Sequence, residues 1–234
     1  ILYILILISL IAVLFTKSVN GATSWFTIGG ISIQPAEFAK IIVIIALATY
    51  ISRIQENGRD QISRPTRLLL ALLIVAVPVL LIIKQPDYGT ACTFVVATIF
   101  ILFSAGIKKR YIIAGILLTV IIIPTLYFFV LPEHAKTRID VFLNPNLDPR
   151  GAGYNVIQSK LAIGAGEFLG MGILKGNQTQ LGFLYPKSTD FIFAVIGEEM
   201  GFVVAATVII TYVILITKSI YIAKTAKDNL GSYI

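Results

Sequence analysis

The sequence predicts an all-α polytopic membrane protein, and three observations predict it. Hydrophobic residues make up 57% of the chain and charged residues only 13%, where an ordinary soluble domain is about a quarter charged; mean hydropathy is +0.89. Apolar stretches that reach or approach the ~20 residues needed to cross a bilayer recur along the chain, at 1–15, 35–51, 68–83, 88–107, 111–131 and 191–217. The loops between them are short, except for one long polar segment that interrupts the apolar pattern. Its richest part, residues 144–201, is full of Gly, Asn, Gln and Asp. The net charge of +7 calls for no nucleic acid. Basic residues beside membrane spans gather against anionic lipid headgroups, and no soluble domain is left to carry a nucleic-acid footprint.

Each element has its own signal. The run 1–15 has no initiator Met and no charged n-region, so it reads as a truncated span of a longer polytopic protein and not as a signal peptide. Asn20-Gly21-Ala22 is a turn signal. Trp25 and Phe26 suit the headgroup level, and Ile28-Gly29-Gly30-Ile31 leads into the second span. That span opens on Pro35, a residue suited to a first helical turn. Pro78 and Pro124 fall inside the third and fifth spans and should kink them. The fourth span is weakened by Thr and Gly. The sixth is the longest. In the polar segment Val156, Ile157 and Leu161 recur at helical spacing, so residues 155–165 should form a short helix. The pairs Gly164/Gly166 and Gly170/Gly172 should end it. No repeat and no linker divides the chain, which reads as one transmembrane domain over residues 1–234.

Lys and Arg in short loops set the orientation. Arg53, Arg59, Arg64 and Arg67 share one loop, Lys108-Lys109-Arg110 form a tight turn, and Lys218, Lys224 and Lys227 follow the sixth span. Six alternating spans put all three on one side, which should be cytoplasmic. The opposite loops hold only Lys17 and Lys84. The long loop, residues 132–190, then faces outside. Its own basic residues weigh little, because long loops do not set topology.

Ionisable groups at membrane depth are costly and so are candidate functional residues. Glu37 and Lys40 stand i, i+3 on one helix face. They read either as a structural ion pair or as a Glu-oriented Lys that holds an anionic group. Asp190 stands where the polar loop meets the sixth span. It reads either as an N-cap or as a general base poised between water and an apolar wall. Glu198 and Glu199 lie two turns further in, either paired, protonated or on a proton path. Asp87 should cap the fourth span. His134 is the only histidine, so neither a His-based metal site nor a Ser-His-Asp triad can be built. LAIGAG and GEFLGMG are too irregular for a phosphate loop. Cys92 is the single cysteine, so no internal disulfide forms. No organic cofactor is called for. A divalent cation, Mg²⁺ or Mn²⁺ held by carboxylates and substrate phosphates, stays open.

The motifs NGATSW, IQPAEFAK, QPDYGTA, LDPRGAGYNVIQSKLAIGAGEFLGMG and STDFIFAVIGEEMGF occur in this order. Together they resemble the SEDS family (shape, elongation, division and sporulation), peptidoglycan glycosyltransferases that include RodA and FtsW. The spacing of GILKGNQTQL is closer to the RodA branch. The resemblance covers essentially the whole chain, and its long-loop motif is the most specific part. It implies a ten-helix fold of which this chain holds the third to the eighth helix.

The resemblance also implies site residues. The acidic residue of the TDF motif, catalytic in the family, corresponds to Asp190. Glu37 and Lys40 of IQPAEFAK, with Gln34 and Trp25, would contact substrate, as would Gln158, Lys160 and Gln180 in the loop. There are departures. Ser24 stands where many members have Arg, Gly182 where some have Glu, and Ser188 where some have His. Those groups are therefore not needed by this chain. The implied reaction is polymerisation of lipid II at the outer face of the bacterial cytoplasmic membrane, releasing undecaprenyl pyrophosphate. The implied partner is a class B penicillin-binding protein. Two other readings use the same cavity and lipid: a flippase for the lipid-linked precursor, and a non-enzymatic scaffold for a synthase. Neither needs a carboxylate at position 190.

Overall fold

The computed structural model describes residues 1–16, 23–28, 31–131, 133–185 and 189–234, with the backbone alone at Ile28, Ile31, Ile123, Leu126, Val130 and His134. The expected turn at Asn20, Gly21 and Ala22, together with Lys17, Gly29, Gly30, Lys187 and Ser188, lies outside the described residues. The architecture is helical, as expected. The helices are α1 (Leu2–Val13), α2 (Pro35–Gln55), α3 (Pro65–Lys84), α4 (Tyr88–Ser104), α5 (Lys109–Thr125), α6 (Glu133–Leu143), α7 (Tyr154–Ala165), α8 (Asn177–Gln180), α9 (Ile192–Thr225) and α10 (Asn229–Tyr233). Among the described residues, four segments are long and apolar enough to cross a membrane: Pro35–Gln55, Pro65–Lys84, Lys109–Phe129 and Ile192–Thr225. Leu2–Val13 and Tyr88–Ser104 are apolar but shorter.

Several extents differ from the sequence expectation, each for a physical reason. Helix α2 continues past residue 51 to Gln55, and α9 past 217 to Thr225. Polar and basic residues that end a hydropathy window do not end a helix, since long Arg and Lys stems reach outward from it. Helix α3 begins at Pro65, whose missing N–H costs nothing in a first turn. Pro124 is followed by a π-helical turn over Leu126–Val130, the kind of irregularity a proline induces. The loop expected over 132–190 holds α6 as well as α7. A small antiparallel hairpin pairs β1 (Phe26–Ile28) with β2 (Ile31–Ile33), in the register Phe26↔Ile33.

The chain forms two compact units, Ile1–Leu117 with Tyr221–Ile234, and Leu118–Ile220. In the first, α2 is the centre. Its buried stripe of Ala36, Ala39, Val43, Leu47, Ala48 and Ile51 follows the 3.6-residue period and meets Leu10 of α1, Ala71 and Val75 of α3 and Phe94 of α4. The alanines let helix backbones approach closely, the usual device where lipid offers no hydrophobic contrast. The opposite side of α2, with Phe38, Ile41 and Ile45, is exposed. So are Leu69, Leu70 and Leu73 of α3, a pattern suited to hydrocarbon surroundings.

Polar links fix this unit where its helices end or kink. Pro78 removes the N–H that would reach the Ile74 carbonyl four residues back, and the Tyr3 hydroxyl donates to that carbonyl at 2.8 Å. Gln85, fully buried, donates from Nε2 to the Leu10 carbonyl at 3.1 Å, and its own carbonyl accepts from the buried Ser24 hydroxyl at 3.2 Å. Asp87 caps α4 as expected, accepting from the Thr90 amide at 3.1 Å. At the other end, Gln55 Nε2 donates to the Ala105 carbonyl at 2.8 Å, the Lys108 amide donates to Ser63 Oγ at 3.0 Å, and the Tyr233 hydroxyl donates to Gln55 Oε1. These links gather the Arg-rich loop, the Lys108–Arg110 turn and the segment after α9 at one end of the unit.

Candidate active site and its scaffold

The unit Leu118–Ile220 is organised by a break in α9. At Gly201 the backbone takes φ 75°, ψ −176°, a combination open essentially to glycine alone. A helix broken at membrane depth leaves N–H and C=O groups that must find partners. The segment after α7 supplies them. The Phe202 and Val203 amides donate to the Glu167 and Phe168 carbonyls at 2.9 and 3.3 Å, while the Met171 and Gly172 amides donate to the Glu198 and Glu199 carbonyls at 2.9 and 3.0 Å. The two backbones touch because glycines face each other. A Cβ on Gly166 would overlap the Gly197 carbonyl, one on Gly170 the Glu199 carbonyl, and one on Gly201 the Gly170 amide. The glycines expected only to end α7 therefore also form a close backbone joint.

Past this joint, Glu198 and Glu199 reach back to the polar ledge of the loop. Glu198 is fully buried. Its carboxylate accepts the Gln178 amide at 2.6 Å, the Thr179 amide at 3.0 Å and the Thr179 hydroxyl at 2.5 Å. Gly176 has no side chain because one would meet this carboxylate at 2.6 Å. Glu199 accepts the Leu174 amide at 3.0 Å and Gln180 Nε2 at 2.8 Å. A buried carboxylate is tolerable only with such donors. The two acids, left open between pairing, protonation and a proton path, are loop anchors: they tie residues 174–180 to α9.

Asp190 stands at the other end of this scaffold, in the turn before α9. It is exposed, and among the described residues its side chain makes no hydrogen bond or ion pair. The expected cap is not formed by its carboxylate; the nearby Ile192 amide goes to the Thr189 carbonyl at 3.4 Å. An exposed carboxylate at a helix start, with no partner among the described residues, is available to an external hydroxyl.

The other predicted residues divide between the units. On α7, Gln158 is half-buried and Lys160 exposed; Gln180 is engaged by Glu199. Trp25, Gln34, Glu37 and Lys40 belong to the unit built on α2. The Glu37–Lys40 pair forms at 2.8 Å, but it is not buried: the Lys40 and Glu37 side chains are 32% and 53% exposed. The reason is register, since both fall beside the Ala36–Ala39–Val43 stripe and not on it. Lys40 instead stands over an apolar cavity of about 180 Å³ lined by Val43, Leu47, Val75 and Phe94. Gln34 donates from Nε2 to Asp87 Oδ2 at 2.7 Å. Trp25 is partly exposed, and its carbonyl accepts the Thr16 hydroxyl at 3.3 Å. Among the described residues no three His, Cys, Asp or Glu side chains converge as a metal-ligand set. Glu198 and Glu199 already face N–H and O–H donors.

Sequence reasoning missed the anchoring role of Glu198 and Glu199. The signal for the joint was present: GEFLG (166–170) and GEEMG (197–201) share the same glycine spacing, and they are the two segments that meet.

Fold and site together define a polytopic helical membrane protein with a polar loop anchored on a broken helix. The chain belongs to the FtsW/RodA/SpoVE family, described as cell cycle proteins, whose model matches residues 1–234. It is 38% identical over 237 residues to the peptidoglycan glycosyltransferase MrdB of Escherichia coli (strain K12), covering 98% of this chain and 61% of that protein. It is 37% identical over 217 residues to the probable peptidoglycan glycosyltransferase FtsW of Trichlorobacter lovleyi, covering 92% and 55%. Among solved structures, one of a peptidoglycan synthase complex that coordinates polymerization and crosslinking matches with a TM-score of 0.78 at 28% identity, over 99% of this chain and 63% of that one. The rod shape determining protein RodA of Thermus thermophilus shares the fold, with a TM-score of 0.62 at 23% identity, over 99% and 59%. The chain thus spans 55–61% of the length of these curated relatives.

Proposed function

We propose that this protein is a peptidoglycan glycosyltransferase that polymerises lipid II at the outer face of the bacterial cytoplasmic membrane, with the long loop outside. Asp190 is its catalytic base. The carboxylate takes the proton of the acceptor's GlcNAc 4-hydroxyl, and that oxygen attacks C1 of the donor's MurNAc. The C1–O bond to phosphate breaks, undecaprenyl pyrophosphate leaves with the bonding pair, and inversion at C1 gives a β-1,4 link. Lys40 meets the charge of the lipid-linked pyrophosphate, and Glu37 orients it. Gln158, Lys160 and the ledge around Gln180 meet the sugars. The work is done beside a class B penicillin-binding protein, as the synthase-complex relative suggests.

The observation that carries this reading is the exposed Asp190 carboxylate, which has no partner among the described residues, at the start of a helix whose preceding loop is tied down by Glu198 and Glu199. The test uses the full-length protein, purified with its partner, and lipid II as sole substrate. Wild type is expected to give glycan strands and Asp190→Ala none. Strands formed by Asp190→Ala at the wild-type rate would remove the base assignment. Transbilayer movement of lipid II without polymer would replace the transferase by a flippase.

A further inference from the structure

The basic end of the α2 unit has a feature the transferase reading does not use. Two adjacent cavities open there. One, of about 350 Å³, is bounded by Gln55, Arg59, Ser104 and residues 223–233 and includes Lys224 and Lys227. The other, of about 540 Å³, lies beside Thr49, Ser52 and Arg53 and shares Lys227 with the first.

Four cations therefore face these cavities, and among the described residues none of them is ion-paired with a carboxylate. Two acids face the cavities as well. Asp228 is engaged through one oxygen, since its Oδ1 caps α10 by accepting the Gly231 amide at 2.8 Å. Glu56 stands beside Arg53 in the larger cavity. Gln55 and Tyr233, bonded to each other in the first cavity, add an uncharged amide and phenol to its lining. Arg59 is held in place: its guanidinium donates to the Ser104 carbonyl at 3.4 Å and lies over Gly106, where a Cβ would stand 3.2 Å from Nε.

The surroundings indicate what the cations await. Along one stripe of α2, exposed Ile41 and Ile45 give way to Thr49, Ser52 and then Arg53. On α9, exposed Tyr221 and Ile222 precede Lys224. Both surfaces run from apolar to hydroxyl or cation within about two turns. That gradient matches a phospholipid, with chains along the apolar part, glycerol oxygens at the hydroxyls and phosphate at the cations. A free anion would have no use for the apolar part.

We propose that Arg53, Arg59, Lys224 and Lys227 form a binding site for the phosphate of an anionic phospholipid of the leaflet on this side, cytoplasmic by its excess of Lys and Arg. The inference is independent of the transferase reading, because it uses no residue of that site.

The experiment measures lipid retention by native mass spectrometry on the full-length protein, extracted from vesicles of phosphatidylcholine with or without phosphatidylglycerol. Wild type retains phosphatidylglycerol selectively. Replacing all four cations by Gln lowers its apparent affinity about a hundredfold or more, at roughly fivefold per cation. Lys224→Arg with Lys227→Arg keeps it near wild type, which separates lost charge from lost folding. Lys108→Gln, Lys109→Gln and Arg110→Gln, at the same end but outside the cavities, change it less than threefold. Equal loss in that control would reduce the effect to general surface charge and overturn the site. Unchanged retention in the four-Gln variant would overturn it outright. Displacement of the lipid by millimolar inorganic phosphate would assign the cations to a free anion instead.

Discussion

Glu198 is the residue on which the loop scaffold depends, and its removal has a calculable cost. Glu198→Ala deletes an acceptor that serves three donors, the Gln178 amide, the Thr179 amide and the Thr179 hydroxyl. A donor left unsatisfied in a buried place costs about 1–3 kcal/mol. Relief of the buried charge works the other way, so the low end applies, and the three together cost about 3 kcal/mol. For a domain of this size, each kcal/mol shifts Tm by roughly 2–4 °C, which predicts a fall of about 6–12 °C. Amide hydrogen exchange locates the effect. Residues 178 and 179 lose protection, while Leu174, held by Glu199, loses less. Glu198→Gln, which keeps one acceptor oxygen, falls between. A Tm within about 1 °C of wild type and unchanged protection at 178–179 would refute the anchoring argument.

Other expectations follow from single contacts. Gly201→Ala places a Cβ in a glycine-only backbone conformation against the Gly170 amide; a loss of about 3 kcal/mol or more in thermal unfolding is expected, with Gly170→Ala similarly harmful. Burial pushes the Tyr233 hydroxyl above its ordinary value of 10, against the lowering influence of the Arg59 charge. The folded state therefore keeps this proton longer than the unfolded chain, so its contribution to stability is complete below about pH 10 and declines as pH rises further; Tyr233→Phe should flatten that alkaline decline in a pH series of melting curves. Lys40→Ala should raise the KM for lipid II roughly tenfold with stability nearly unchanged, since an exposed pair such as Glu37–Lys40 contributes only about 0–1 kcal/mol to folding; steady-state kinetics beside a melting curve check both halves.

Much of the fold was legible because hydropathy and proline placement are local signals. The starts of α2 and α4 and the Asp87 cap follow from residues within one turn of each. The α9 break was not legible, because an apolar run gives no sign of where a distant segment will enter it. The matching GEFLG and GEEMG spacings were the available hint, and glycine alone does not say what it approaches. Glu198 and Glu199 read as membrane-depth acids because three of their five donors are backbone amides, which every sequence contains and none advertises. The hairpin at 26–33 was also missed, although Gly29-Gly30 between short β-prone runs is a known two-residue turn signal. At the candidate site, Asp190 stood out from its junction position. The engagement of Gln34 by Asp87, a contact across 53 positions in sequence, lay beyond any local reading.

The central claim is that Asp190 does chemistry and the scaffold beneath it does not depend on it. The most direct test is the rate of lipid II consumption by full-length Asp190→Asn, an isosteric change at an exposed position with no partner among the described residues. The account predicts a wild-type melting temperature and lipid II binding, with polymerisation reduced by at least a hundredfold, the low end for loss of a general base. Polymerisation within a factor of two of wild type would contradict it.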